Sequence, residues 1–194
     1  MTVKWPKILK NEKVQTAIML AATVVGFVIF WYGLIAVFRT EHPLMAVATG
    51  SMRPTLEVGD LIIVQGGLNG NEIHAAPKDG DPPGDIIVFP GERVGRPGEL
   101  IVHRAVEKTS DTNGLWHFKT QGDNNTRADP GDVVETEIVG KLVGKVPWLG
   151  WPNLFLQTFH GKVLIIVLLG VLIVIEFIPF SKKEKAEKDQ TKPL

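Results

Sequence analysis

No cysteine occurs among the 194 residues. That absence excludes disulfides, thiolate zinc sites and a cysteine nucleophile. Net charge is missing too: 21 Lys and Arg balance 21 Asp and Glu. No overall bias therefore points to nucleic acid as a partner. No internal repeat is evident. Between residues 39 and 147 no amphipathic helix pattern stands out.

What the chain does have is an uneven distribution of apolar residues. Residues 14–38 read VQTAIMLAATVVGFVIFWYGLIAVF, without a charge. About 20 apolar residues cross a bilayer core as a helix, so this run predicts a transmembrane anchor with room to tilt. Trp31 and Tyr32 sit toward its outer end, where amphipathic rings favour the interface. The run exceeds the roughly 7 to 15 residues of a signal-peptide core. The small-x-small triplet Ala46-Val47-Ala48 lies well past it, beyond Arg39, Glu41 and Pro43. An uncleaved anchor is the expectation.

A second block, VLIIVLLGVLIVIEFIPF, covers residues 163–180 and is interrupted by Glu176. A carboxylate near one end of a span reaches the interface and needs no functional role. Residues 162–180 are expected to form a second transmembrane helix, with a re-entrant or surface helix as the alternative. The Trp- and Pro-rich stretch 148–161 reads as an interfacial segment. Lys4, Lys7, Lys10 and Lys13 precede the first block, and five lysines follow the second. Lysine bias predicts that both termini, the tails 1–13 and 181–194, are cytoplasmic. Residues 39–147 then form an extracytoplasmic domain. The C-terminal charge run reads as a disordered, solvated tail.

That domain predicts strands at 44–47, 60–64, 85–89, 100–106, 116–120 and 137–146. Each is rich in Val and Ile and bounded by Gly, Pro, Asn or Asp. Residues 65–84, dense in Gly, Pro and Asn, read as a long loop or mobile insertion. The expected fold class is mainly β: a membrane-anchored, barrel-like catalytic domain flanked by transmembrane helices.

Three stretches carry candidate chemistry: TGSMRP (49–54), IVHRAV (101–106) and TQGDNNTRADPGD (120–132). They supply a serine, a histidine and aspartates. A serine hydroxyl becomes a useful nucleophile when a base removes its proton. An imidazole can take that proton and return it to a leaving amine. A carboxylate can fix the imidazole tautomer. Taken singly, each piece has an ordinary explanation: a turn serine, a packed strand histidine, aspartates capping turns. His42, His74, His117 and His160 compete with His103. Calcium is disfavoured, because Arg127 stands where an EF-hand loop needs an oxygen ligand and the central glycine is missing.

Together, and in this order after an N-terminal anchor, SMRPTL…GD, VHRAV and GDNN with a second aspartate resemble type I signal peptidases. The resemblance is to the archaeal and endoplasmic-reticulum branch, and covers residues from about 14 to 150. It implies a tethered β-rich catalytic domain with Ser51 as nucleophile and His103 as general base, where the bacterial branch uses lysine. External lysines 78, 108, 119, 141 and 145 do not occupy that strand position. The resemblance assigns the third role to Asp129, six residues after Asp123. Asp123 itself would order the loop or bond to the histidine, and Asp132 is a reserve. Thr49 stands where the family often has serine, and with the Ser51 N–H is a candidate oxyanion-hole donor. The implied substrates are secretory preproteins, cut after small residues at the −1 and −3 positions. The implied partners are these preproteins and the lipid bilayer; accessory membrane subunits are left open. No cofactor, metal or nucleic acid is implied. Two rival readings differ in class. A self-cleaving repressor of the same clan would need a DNA-binding domain, and no helix-turn-helix pattern is present. A non-enzymatic anchored β-domain would scaffold a secretion or cell-envelope complex.

Overall fold

The computed structural model describes residues 12–190, with side chains described from 14 to 174. Residues 1–11 and 191–194 of the expected tails, and the side chain of Glu176, lie outside it.

Helix α1 spans Glu12–Phe38. Its segment Val14–Phe38 is long and apolar enough to cross a membrane, and none of it is buried against the rest of the chain. A helix satisfies its own backbone hydrogen bonds, which an apolar solvent requires. It stops at Arg39, whose φ of 50° is left-handed, a common way to end a helix.

Seven strands follow: β1 Leu44–Ala46, β2 Leu61–Gln65, β3 Ile86–Pro90, β4 Leu100–Ser110, β5 Trp116–Gln121, β6 Asp132–Val134 and β7 Gly140–Val146. They form one antiparallel sheet in the order β1-β2-β7-β3-β4-β5-β6. The sheet is open, with β1 and β6 at its edges, which corrects the expected barrel-like closure. Strand patterning gives the alternation of side chains but not whether the two edges meet.

The central strand β3 explains how the sheet is covered. Its Ile86 and Val88 pack with Val47, Met52, Leu56, Ile62 and Val64. Its Ile87 and Phe89 pack on the other face with Ile73, Ile101, Ala105, Phe118 and Val133. A strand buried on both faces reads as a continuous apolar run, as IIVF does. Phe89 is fully buried, so truncating it to alanine costs about 3–5 kcal/mol.

The loop 65–84 is held down along its length. Ile73 plugs the second core, Ala76 N–H donates to Ala105 O, and Arg104 donates to Gly84 O. A short 3₁₀ turn, Gly70–Glu72, is capped by Asn69. Its Gly70 lies under Trp116, whose Cδ1 would stand 2.3 Å from any added Cβ. Of the two expectations for this stretch, a long loop or a mobile insertion, the contacts describe a long loop packed against the domain.

After β7 come α2, Trp151–Gln157, and α3, Phe159–Gln190. Trp151–Gln157 and Phe159–Val174 meet at 89° and are long and apolar enough to cross a membrane only when taken together as one bent segment. Thr158 makes the break: its Oγ1 accepts from Gly161 N–H at 3.1 Å and starts the second helix. Helix α3 continues to Gln190, which corrects the expected disorder of the charge run up to that residue: its Lys, Glu and Ala are good helix formers.

Candidate active site

Ser51 lies in the loop between β1 and β2. Its neighbours explain why the loop holds one shape. Met52 and Leu56 are fully buried in the first core, so the serine stands on a loop pinned by the apolar residues of SMRPTL. The Ser51 carbonyl accepts from Asn124 N–H at 2.8 Å. A Cβ on Gly122 would come within 2.6 Å of that same carbonyl. The GDNN stretch and the serine loop are thus packed backbone to backbone.

His103 lies on β4, opposite Ile87 of β3. It is 5% exposed, and the Phe89 ring meets it edge-on at 6.5 Å. One ring nitrogen, Nδ1, is 2.6 Å from Asp129 Oδ2. The other, Nε2, is 3.1 Å from Ser51 Oγ. A carboxylate only accepts, so Nδ1 carries the proton and donates, which leaves the Nε2 lone pair facing the serine hydroxyl. Among the described residues, His103 is the histidine hydrogen-bonded to a serine. His74 faces Pro82 O and His117 faces Asp111.

Asp129 is held by β5. Its N–H donates to Thr120 O at 2.8 Å, and its Oδ2 accepts from Thr120 Oγ1 at 2.7 Å. Thr120 is fully buried. Thr120 opens the TQGDNN stretch, but the sequence gives it no role; its signal is its position across the strand pair from Ala105, which lies two residues past His103.

Asp123 is engaged elsewhere. Adjacent residues of a strand point to opposite faces, so Arg104 leaves the face of His103. Its Nε and Nη2 donate to the two oxygens of Asp123 at 2.8 and 2.6 Å. Thr55 Oγ1 donates to the same carboxylate, and Lys78 Nζ donates to the Asp123 carbonyl at 2.8 Å. Burial alone would raise the Asp123 carboxyl. The bonds from Arg104 and Thr55, with the charges of Arg104 and Lys78, outweigh it and hold the group below the ordinary carboxylate range. The Asp123 carboxylate thus bonds to Arg104 and Thr55 rather than to His103. Asp132 pairs with Lys119 at 3.0 Å on the outer strands.

Thr49 Oγ1 is 3.4 Å from Ser51 Oγ. Thr49, Ser51 and His103 line a cleft of about 100 Å³ together with Met45, Val47 and Val102. The cleft runs between two strand edges. Among the described residues β1 pairs only with β2. Residues Leu100–His103 of β4 pair only with β3, because pairing with β5 begins at Arg104. Among the described residues no group of three or more His, Asp and Glu side chains could hold a metal ion.

No protein-family model matches the chain. Individual proteins do. The chain is 28% identical over 182 residues to the signal peptidase complex catalytic subunit SEC11 of Tuber melanosporum, covering 88% of this chain and 92% of that one. It is 27% identical over 178 residues to the human catalytic subunit SEC11C, covering 88% and 86%. It is 30% identical over 137 residues to SEC11 of Lachancea thermotolerans, covering 66% and 74%.

Proposed function

The chain belongs to the family of signal peptidase complex catalytic subunits, and on that premise we propose a membrane-bound serine endopeptidase that removes N-terminal signal peptides from secreted preproteins. The observation that carries the residue assignment is the unbroken line of hydrogen bonds Asp129–His103–Ser51, at 2.6 and 3.1 Å, opening into a cleft.

The chemistry follows from that line. Ser51 Oγ attacks the scissile carbonyl while its proton passes to His103 Nε2. Asp129, kept in place by Thr120, stabilises the imidazolium and fixes which nitrogen holds the first proton. The tetrahedral oxyanion is met by the Thr49 hydroxyl and the Ser51 N–H. Collapse expels the amine, which takes the proton from His103 Nε2, and leaves an ester on Ser51. Water, deprotonated by the same nitrogen, then hydrolyses the ester. No step calls for a metal or cofactor.

An extended peptide fits between the two free strand edges and adds its backbone to them. Alternate side chains of such a strand point the same way. A cleft of about 100 Å³ beside Ser51 accepts small side chains at alternate positions, which accounts for small residues at −1 and −3.

In this reading Val14–Phe38 is the first span and 162–180 the second. Residues 148–161 lie at the interface, both termini are cytoplasmic, and the domain 39–147 is extracytoplasmic in the cell membrane. The lysine bias of the tails and the 89° bend support it. Co-anchoring raises the local concentration of a cleavage site whose apolar segment lies in the same bilayer. Accessory subunits of a complex belong to the same proposal.

The experiment is cleavage of a preprotein by the full-length protein in detergent. Wild type cuts after the small-x-small site; Ser51→Ala and His103→Ala lose on the order of a million-fold in kcat, as in comparable serine proteases. Undiminished cleavage by His103→Ala would remove the histidine from the mechanism.

A further inference from the structure

The serine loop is closed at its base by two reciprocal bonds. Val47 N–H donates to Asp60 O, and Gly59 N–H to Val47 O, both at 2.9 Å. The corner that leads from β7 into α2, residues 148–151, is fastened to this same base. Gly150 N–H donates to Gly59 O at 2.8 Å, and Trp148 N–H to Asp60 Oδ1 at 3.4 Å. The other oxygen of the buried Asp60 carboxylate accepts from Glu57 N–H at 3.0 Å and pairs with Lys145 at 3.7 Å. Trp151 covers Gly59 so closely that a Cβ there would lie 2.1 Å from the indole Nε1. The φ of Gly59, +92°, favours glycine independently. Gly150 is also tightly packed, with Asp60 O 2.6 Å and Ala46 Cβ 3.0 Å from the place its own Cβ would take.

The outer side of the same corner is apolar and unburied. Trp148 is 74% exposed and Trp151 51%. Leu149, Phe155 and Phe159 are exposed beside them. Trp151 therefore has one face on the serine loop and the other free, on a short helix perpendicular to an apolar helix. An indole so divided suits a boundary between protein and the headgroup region.

We propose that the corner Trp148–Trp151 is a depth gauge: it fixes the height of the serine loop relative to the bilayer and so selects which peptide bond of an anchored preprotein reaches Ser51. The inference rests on the membrane reading above. Trp151 is a positioning residue in it, acting through Gly59 and Asp60 on the loop base. One residue of an extended substrate spans about 3.3 Å, so a shift of the loop by that much offers the neighbouring bond.

The test uses full-length protein reconstituted in phosphatidylcholine vesicles and two substrates. One is a membrane-inserted preprotein in which a run of alanines offers two small-x-small sites one residue apart. The other is a short soluble peptide holding one such site and no apolar segment. Trp151→Ala and the milder Trp151→Leu are compared with wild type, each checked by its melting curve. The expected result is a change of at least about threefold in the ratio of the two preprotein products for at least one folded variant. Its kcat/KM on the soluble peptide should stay within about twofold of wild type. Unchanged product ratios in a folded variant overturn the gauge. Equal losses on both substrates also overturn it, since they mark a residue that only supports the fold. Failure of both variants to fold overturns it for the same reason. If wild type cuts neither substrate, the peptidase reading itself fails and the gauge with it.

Discussion

Replacing Asp123 by asparagine keeps its shape and removes its charge, leaving the Arg104 guanidinium buried without a counter-ion. The side chains of Arg104 and Asp123 are 7% and 2% exposed. Two charge-assisted bonds, at 2.8 and 2.6 Å, join them. Breaking one partner of such a buried pair costs about 3–5 kcal/mol. In a domain near 100 residues each kcal/mol moves Tm by roughly 4 °C or more, so Asp123→Asn should melt at least about 12 °C below wild type. The pH dependence has a definite sign. The folded Asp123 carboxyl titrates below its unfolded value, so its contribution is complete above about pH 4, the unfolded carboxylate range. It is lost as pH falls through the lower, folded value. Asp123→Asn should therefore flatten the acid limb of a stability–pH curve. Replacing both partners by apolar residues, Arg104→Met with Asp123→Leu, removes the charges together, and such exchanges are often neutral. The double variant should recover most of the loss. The assay is thermal unfolding of the detergent-solubilised protein between pH 3 and pH 8. A single variant within about 1 kcal/mol of wild type would mean that the pair does not hold the fold together. A double variant no better than the worse single one would mean that an uncompensated charge is not the cause of the loss.

Other outcomes follow from the same contacts. Asp129→Asn turns an amide toward His103 Nδ1 and favours the wrong tautomer; kcat should fall by about 10⁴ with little change in Tm. A fall confined to KM would contradict the orienting role. Thr49→Val removes the hydroxyl that lies 3.4 Å from Ser51 Oγ. It should lower kcat by about 10²–10³ at similar KM, with Thr49→Ser restoring most of it; equal activity of Val and Ser variants would exclude Thr49 from the oxyanion hole. Gly122→Ala drives a Cβ against the Ser51 carbonyl, 2.6 Å away, and should reduce kcat/KM at least tenfold, since about 1 Å of misplacement can cost a hundredfold. Full activity would mean that the GDNN loop does not position the serine.

Several features were legible because they are local. The six expected strands match β1 to β5 and β7 within a few residues, since period-two alternation and turn residues are written in short windows. β6 was missed because Asp132–Val134 is three residues long and owes its pairing to Phe118 across the sheet. The packing of 65–84 depends on long-range partners, Ile73 in the second core and Arg104 on Gly84 O, and whether the sheet's edges meet is not written in strand alternation. Ser51, His103 and Asp129 were named by resemblance rather than spacing, which says nothing of their meeting. The separate uses of the two aspartates became readable only with the strand geometry: His103 and Arg104 are neighbours in sequence and turn to opposite faces, and each takes its own carboxylate. Thr120 opens the TQGDNN stretch and Trp151 lies in the Trp-rich interfacial segment, but their particular roles lie in what faces them.

Covalent labelling tests the nucleophile and its base together. The reagent is a diphenyl phosphonate built on an Ala-x-Ala peptide, which a serine attacks only when its hydroxyl is activated. After incubation with the full-length protein, peptide mapping by mass spectrometry locates the adduct. The expected result is one phosphonylated residue, Ser51, with labelling abolished in Ser51→Ala and slowed at least about a thousandfold in His103→Ala. An adduct on another residue, or labelling of Ser51 at an undiminished rate without His103, would contradict the assignment of nucleophile and base.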